Sequence, residues 1–561
     1  MVGFTSLGES DFRAIRTKRL YFVDKTEWFR CVCESNKVLL LTRPRRFGKT
    51  LALSMLRYFY SNDRDHRPLF DGLFISKNKE VMQVQGKYPV IWLSLKKVKA
   101  DTWDVGLSLL CSCLVEMLDD HSYLKDHPDF AKAWQEQMTV LKADSPNEKK
   151  CHATLKLLIK WLAEYHGTEV VVLVDEYDTP VTNAWLSGYY REMVDFLKVL
   201  LGDALKDNRL VAKSVFTGVL RVSKESFFSD FNNFSAYSVL GENQFSDKIG
   251  FTPEEVQLLL RDHGMNGREW EEISNWYDGY RFGHTTIFNP WSILNYVQHP
   301  AQGLQPYWVN TSDNLLLMDL FFHSSERIKG TLESLIRREK IRVAVSEHFT
   351  YGDLRNNDEA VWNMLLLAGY LRSENPKQTE EEMSYDLSIP NREVLYIYKR
   401  IIKKWLYEQV VVHNELDWLL EYMLKGEMHH FERFLRDFAL RVFSYHDTSG
   451  PHSENFYHAF LLGLFVRLED RYQVRSNRES GLGRYDIALI PKDRRERGFV
   501  FKIKTPDAAY KETLRMALNR AKKQLQMRKY DTELAEAGIT HIVRIALAVQ
   551  GKELLMKVVE G

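Results

Sequence analysis

At 561 residues and 66.0 kDa the chain is too long for one hydrophobic core, so two to four domains are expected. Hydrophobic residues make up 45% and charged residues 27%, which excludes a disordered or fibrous chain and fits a soluble globular one. The net charge of +1 excludes a global electrostatic field, so any nucleic-acid binding must come from a local basic patch.

No run approaches the ~18 apolar residues that span a bilayer, and "MVGFTSLGESDF" lacks a signal-peptide core. A cytoplasmic protein with no membrane partner is expected. The five cysteines form two Cys-x-Cys pairs, Cys31/Cys33 and Cys111/Cys113, plus Cys151. Both pairs lie in apolar, helix-like surroundings, which reads as buried structural thiols and not as a zinc site or disulfide framework.

In chain order, apolar strands are predicted at 37–42, 88–95, 169–175 and 210–218, alternating with amphipathic helices. Continuous β-branched runs of this kind are what a parallel sheet buried on both faces requires. The first strand leads into "TRPRRFGKT" and then a helix on which Leu51, Met55 and Tyr58 share a face. Strand, loop and helix is the context a phosphate-binding loop needs. Gly48 lets backbone approach a phosphate, Lys49 reaches the β- and γ-phosphates, and Thr50 ligates Mg²⁺. The helix N-terminus adds amide donors and its dipole. Arg45, Arg46, Phe47 and Leu51 flank these residues and join the nucleotide-binding set. The loop lacks the usual first glycine. Arg43, Arg45 and Arg46 there either add charge to the phosphates or pin the loop to neighbouring acids.

"VVVLVDEYDTP" supplies the second half of a nucleotide site. Asp175 holds Mg²⁺, and Glu176 orients or deprotonates the attacking water. "SVFTGVLRVSKES" then gives a strand ending in Thr217, at the place of a γ-phosphate sensor, with Arg221 beyond it. A plain turn with a solvated arginine fits that segment equally well.

Taken together, "YFVDKT", "LLTRPRRFGKTLALSML", "LVDEYDTP", "FTGVLRVSKESFF" and "WYDGYRFG" resemble the bacterial AAA-ATPase-like family, as do "FNPWSIL", "YWVNTSDN" and "LSIPNREV". Members carry "TRPRRFGK" in place of an ordinary Walker A, so the missing glycine is a family trait. The resemblance implies an AAA-like P-loop ATPase that uses ATP and Mg²⁺. A homo-oligomer is admitted by the ring-forming habit of such ATPases. It suggests a place near the nucleotide for Asp24, Lys25 and the WYDGYRFG block without assigning them a role; on its own the block reads as packing.

Residues 1–290 are expected to form this ATPase domain, with a helical, aromatic region at 291–445 and a smaller α/β unit at 446–561. That last unit reads as helix, strand, strand, helix, strand, with Glu454 in its first helical turn and Asp486 near a strand start. Lys502 and Lys504 lie two apart on one strand face, and Ala517, Ala521 and Gln524 share a helix face. "ENFYHAFLLGLF", "SNRESGLGRYDIAL" and the A-x-x-Q helix resemble the PD-(D/E)XK nuclease superfamily, a restriction-endonuclease-like fold.

By that resemblance Glu454 and Asp486 are the metal-binding acids, Lys504 is the catalytic lysine and Gln524 an accessory polar residue. The middle acid of the motif should fall at 502, where this chain has Lys. Three carboxylates carry about three negative charges, whereas Glu454, Asp486 and Lys502 sum to about minus one. At ~4 Å and an effective dielectric of ~20, each such charge contact is worth about 4 kcal/mol, enough to favour the ammonium over a metal ion.

The expectation is therefore an ATPase coupled to a nuclease-like module that, as written, does not cut efficiently. It is either a natural pseudonuclease or a chain in which Glu has been exchanged for Lys. The basic stretches "RYQVRSNR", "KDRRERG" and "RAKKQLQMRK" either contact nucleic acid, DNA before RNA, or are solvated faces. Defence against phage or other mobile DNA is the analogy such a fusion suggests. The alternatives are a nucleotide-switched interaction protein without cleavage and an ATP-dependent nucleic-acid remodeller.

Overall fold

The computed structural model describes residues 5–221, 233–265, 269–308, 326–336, 338–346, 351–355, 357–378, 382–408, 413–442, 453–476, 479–480, 483–507, 510–527 and 532–559. The chain divides into two compact units: Met1–Leu320 with Arg342–Val394, and Phe321–Ile341 with Leu395–Gly561. The segment 291–445 is thus shared between them.

The first unit is built on a five-stranded parallel sheet of β1 (Val38–Thr42), β2 (Val90–Ser94), β3 (Val170–Asp175), β4 (Val211–Gly218) and β5 (Phe234–Tyr237), in the order β2-β3-β4-β1-β5. Every residue of β1 and β3 is buried, which explains why neither strand alternates polar with apolar residues. Helices α1 (Lys49–Tyr60), α2 (Trp103–Asp119), α3 (Glu148–His166) and α4 (Tyr190–Leu205) provide the connections. Because β4 lies between β1 and β3, the end of β4 sits between the Gly-Lys-Thr loop and the Asp-Glu pair.

The WYDGYRFG block runs from a helix end into β6 (Tyr280–Phe282), which forms a hairpin with β7 (Thr285–Ile287) and is followed by α5 (Pro290–Gln298). The middle region continues mainly as helices, including α6 (Asp358–Leu367) and α7 (Arg392–Glu408). It also carries a small sheet of β8 (Ile341–Ala344), β9 (Arg372–Gln378) and β10 (Met383–Ser388), ordered β8-β10-β9.

Three of the segments that carry the family resemblance meet at Glu393, which is fully buried. Its carboxyl accepts the Ser292 hydroxyl at 2.8 Å and the Trp308 backbone N–H at 2.7 Å. Burial raises its pKa to about 8, against the opposing pull of those two donors. The folded chain therefore holds this proton more tightly than the unfolded chain. The resulting stability is complete below pH ~4.5 and is lost as pH rises towards 8, by about 1.4 kcal/mol per pH unit within that window. Glu393→Gln should flatten this dependence. Parallel denaturation midpoints for wild type and variant at pH 5, 7 and 9 would count against it.

The second unit centres on a mixed sheet ordered β11-β14-β15-β16-β17: β11 (Tyr472–Ser476), β14 (Ile487–Pro491), β15 (Gly498–Lys504), β16 (Ile542–Gln550) and β17 (Glu553–Val559). Only β15 and β16 run parallel. A two-stranded ribbon of β12 (Glu479–Ser480) and β13 (Gly483–Arg484) precedes β14. One sheet face packs on α8 (His413–Lys425), α9 (Met428–Val442) and α10 (Ser453–Phe465) through Met423, Phe438, Phe460, Phe499 and Phe501. The other packs on α11 (Leu514–Met527) through Val500, Ala521, Leu525 and Ala546.

In this sheet β11 and β17 were not expected from the sequence, and in the first unit neither were β5 to β7 nor the small β8-β10-β9 sheet in a region read as helical. "RYQVRSNR" reads as a basic surface stretch, yet Tyr472–Ser476 pairs along its length with β14. Among the described residues no helix is long and apolar enough to cross a membrane.

Candidate nucleotide and nuclease-like sites

The loop between β1 and α1 begins with a buried arginine. Arg43 donates to the backbone carbonyls of Thr42, Ser238 and Phe245, each at 2.8 Å, and its guanidinium lies 4.9 Å from the Phe282 ring centre. Backbone carbonyls are among its partners, where the sequence suggested phosphates or acids. The sequence offered only the latter two because the segment at 238–245 is distant in the chain. A lysine cannot span three diverging carbonyls. Arg43→Lys should therefore destabilise the first unit by about 3 kcal/mol, the scale of charged hydrogen bonds lost in a buried setting. An unchanged urea midpoint would sink that expectation.

Phe47 packs edge-on against Tyr280 at 5.0 Å and on Phe282 at 5.3 Å, so the WYDGYRFG hairpin braces the loop. Gly250 must lack a side chain there, since a Cβ would approach Ile287 to 2.3 Å and the Phe47 ring to 3.0 Å at a φ of +95°. Gly48 takes the same φ and caps α1, delivering Lys49 and Thr50 on its first turn.

Lys49 is 3% exposed, with Nζ 3.4 Å from Glu176 Oε1 and donating to the Pro44 carbonyl at 3.2 Å. Asp175, buried at the tip of β3, accepts the Thr50 hydroxyl on one oxygen and the Thr217 hydroxyl on the other, both at 2.8 Å. Burial and then the adjacent Glu176 push the Asp175 carboxyl up, while the two threonines oppose them. Burial also pushes Glu176 up, but Lys49 and Arg45 outweigh it and the net shift is downward, so Glu176 is a carboxylate.

A cavity of about 320 Å³ opens over this loop. Arg45, Arg46, Phe47, Gly48, Lys49, Thr50, Leu51 and Glu176 all line it. Asp175 and Thr217 stand behind Thr50, and Arg221 is not in the lining. Lys25 lines it too, as do Lys96, Lys99 and Lys248, which the sequence did not place there. With them the lining holds seven basic side chains against two acidic ones, Glu9 and Glu176. Lys25 is anchored by Glu255 at 2.6 Å and the Asp247 carbonyl at 2.8 Å, whereas Asp24 caps the following turn through the Thr26 N–H. Leu7, Phe22, Val23, Phe251 and Leu294 make an apolar wall, and Arg46 rests its guanidinium 4.3 Å from the ring centre of Trp291.

This chemistry suits a triphosphate on the basic side and a flat apolar group on the other. The Thr50 hydroxyl and the Asp175 carboxylate are hard oxygen donors of the kind Mg²⁺ takes, so the residues present fit that ion.

In the second unit Asp486 precedes β14 and Lys502 lies on β15, both buried. Lys502 Nζ donates to Asp486 Oδ1 at 2.8 Å, and the Ile503 backbone N–H takes Oδ2 at 2.5 Å. Both carboxylate oxygens are thus engaged. Lys504 is half-buried two residues on, and Gln524 is half-buried on α11. Glu454 lies on α10, but its side chain falls outside the described residues. His458, one turn further along α10, donates from Nε2 to the Asp486 carbonyl at 3.1 Å, with the Ser476 hydroxyl also 3.1 Å from Nε2; no pattern in the sequence pointed to it. An ammonium seated on the central aspartate repels a divalent cation, so the described residues do not fit a metal here.

Residues 6–228 match the family model described as predicted AAA-ATPase, and residues 452–558 that of the PD-(D/E)XK nuclease superfamily. The chain is 27% identical over 467 residues to an uncharacterized protein in the vnfD 5′ region of Azotobacter chroococcum mcd 1, covering 80% of this chain and 81% of that one. Among solved structures, a chain of Drosophila ORC bound to AT-rich DNA and Cdc6 aligns over 71% of this chain and 92% of its own. It does so at 10% identity and a TM-score of 0.19, too poor a superposition to support any inference.

Proposed function

From a chain that joins an AAA-ATPase-like domain at residues 6–228 to a PD-(D/E)XK nuclease superfamily domain at 452–558, we infer an ATP-hydrolysing engine that governs how the second domain engages nucleic acid. The observation that carries the ATPase half is the convergence of Lys49, Thr50, Asp175, Thr217 and Glu176 at a cavity rich in basic groups. Thr50 and Asp175 would hold Mg²⁺, which supplies charge neutralisation of the phosphates. Lys49 pairs with Glu176, and a triphosphate competes for the ammonium. That exchange leaves the Glu176 carboxylate to accept a proton from water. Arg45 and Arg46 add positive charge at the mouth of the loop.

For the second domain, the Lys502–Asp486 pair favours binding without efficient cleavage. Defence against phage or other mobile DNA is the setting that suits such a fusion, with DNA as the partner and the cytoplasm as the place.

The test is phosphate release from ATP by the intact chain with Mg²⁺, run beside filter binding of single-stranded DNA, duplex DNA and RNA with and without ATP. Turnover together with ATP-sensitive retention of DNA is expected. Absence of turnover removes the engine, and absence of any nucleic-acid retention favours a nucleotide-switched interaction protein.

A further inference from the structure

Past the end of β3 the chain runs on through Glu176 into Tyr177 and Asp178, which the nucleotide reading leaves without a role. Asp178 is 2% exposed, and its Oδ2 accepts the backbone N–H groups of both Val219 and Leu220, at 2.8 and 2.7 Å. The Tyr177 hydroxyl donates to the Leu220 carbonyl at 2.8 Å, and the Tyr177 N–H donates to the Thr217 carbonyl at 3.1 Å. Two adjacent side chains thus grip the turn that follows β4.

Gly218 fills the junction. A Cβ there would come within 2.6 Å of Asp178 Oδ1 and 2.8 Å of the Tyr177 ring. The Gly218 carbonyl in turn accepts the Arg43 N–H at 3.0 Å, so the same turn is tied to the phosphate loop.

Two features set this grip apart from ordinary packing. Glu176, immediately before it, has a φ of +54°, a left-handed conformation that costs a non-glycine residue about 1–2 kcal/mol. Such strain persists only where the surroundings over-determine it. In addition, Asp178 Oδ1 is buried with no hydrogen-bond partner among the described residues. One carboxylate oxygen accepts both turn N–H groups, and such charge-assisted hydrogen bonds are about twice as strong as those the neutral amide oxygen of Asn would make. Burial, followed by the nearby Glu176 carboxylate, raises the Asp178 carboxyl to about 6, so the two acids sense each other.

We propose that Asp178 and Tyr177 are positioning residues that hold Glu176 in its left-handed backbone and lock it to the turn from Thr217 to Arg221, so that the Glu176 end of β3 and the end of β4 move as one piece during turnover. This rests on the ATPase reading above.

The experiment is steady-state ATP hydrolysis and ATP binding by the full chain carrying Asp178→Asn, Tyr177→Phe or Gly218→Ala. Asp178→Asn should lower kcat at least tenfold while KM and Kd for ATP stay within about threefold of wild type. Gly218→Ala, which forces the clamp apart by its methyl group, should give the same split. The double variant Tyr177→Phe/Asp178→Asn should be no worse than Asp178→Asn, because both residues hold one turn. Wild-type kcat in Asp178→Asn, or KM and Kd rising in step with the loss of kcat, overturns the proposal. Should Asp178→Asn fail to fold, Tyr177→Phe and Gly218→Ala decide by the same split. A wild type that binds ATP without hydrolysing it overturns the ATPase reading itself, a result visible before any variant is made.

Discussion

Lys49→Ala should weaken ATP binding at least a hundredfold, equivalent to about 2.8 kcal/mol, and leave no measurable turnover. Glu176→Gln should keep the affinity and lose a factor of about 10² to 10⁴ in kcat, the scale of a missing general base. The two variants separate because the residues do different work in one ion pair. Lys49, almost fully buried at 3.4 Å from Glu176, is the cation that a triphosphate recruits. Without it, Glu176 and Asp175 lose the charge that offsets their burial. Titration calorimetry with ATP and phosphate release under saturating nucleotide give the two readouts. Equal binding by Lys49→Ala and wild type would remove the cavity as the nucleotide site, and full turnover by Glu176→Gln would remove the proposed base.

Lys502→Glu is the second large effect, and it should have two signs. Removing the ammonium from a buried pair leaves the Asp486 carboxylate uncompensated, which costs about 3–5 kcal/mol in the absence of metal. The same exchange puts a second carboxylate beside Asp486, converting a site that repels cations into one that attracts them. Mg²⁺ should therefore raise the melting temperature of the variant while leaving wild type unmoved. Cleavage of DNA should then appear with Mg²⁺ and vanish again in Lys502→Glu/Asp486→Asn. A variant that Mg²⁺ neither stabilises nor activates would show that the lysine is not what keeps this centre closed.

Much of this was legible in the chain itself. The four long strands of the first sheet fall within two residues of their expected ends, because a strand buried on both faces must be apolar throughout and so announces itself. That Gly48, Lys49 and Thr50 turn β1 into a helix was readable too, since a strand, a glycine and an apolar helical repeat lie side by side in the chain. The edge strands β11 and β17 were not readable. Tyr472–Ser476 carries arginine and glutamine because one side of an edge strand is solvated, and that pattern matches a basic surface segment equally well.

The site divides along the same line. The sequence by itself determined which groups could meet a phosphate, which acids follow β3, and that Lys stands at 502, because each is a matter of residue type at short spacing. Only the tertiary structure decided that Arg43 spends its guanidinium on three carbonyls, that Phe47 rests on the WYDGYRFG hairpin, and that Lys25, Lys96, Lys99 and Lys248 join the cavity. It also decided that Asp178 holds the turn after β4. Apart from the contact of Arg43 with its neighbour Thr42, the hydrogen-bonded and ring pairs among these join residues about 40 to more than 230 positions apart. A buried donor or acceptor takes whichever partner the packed sheet brings within 3 Å, and no periodicity along the chain encodes that choice.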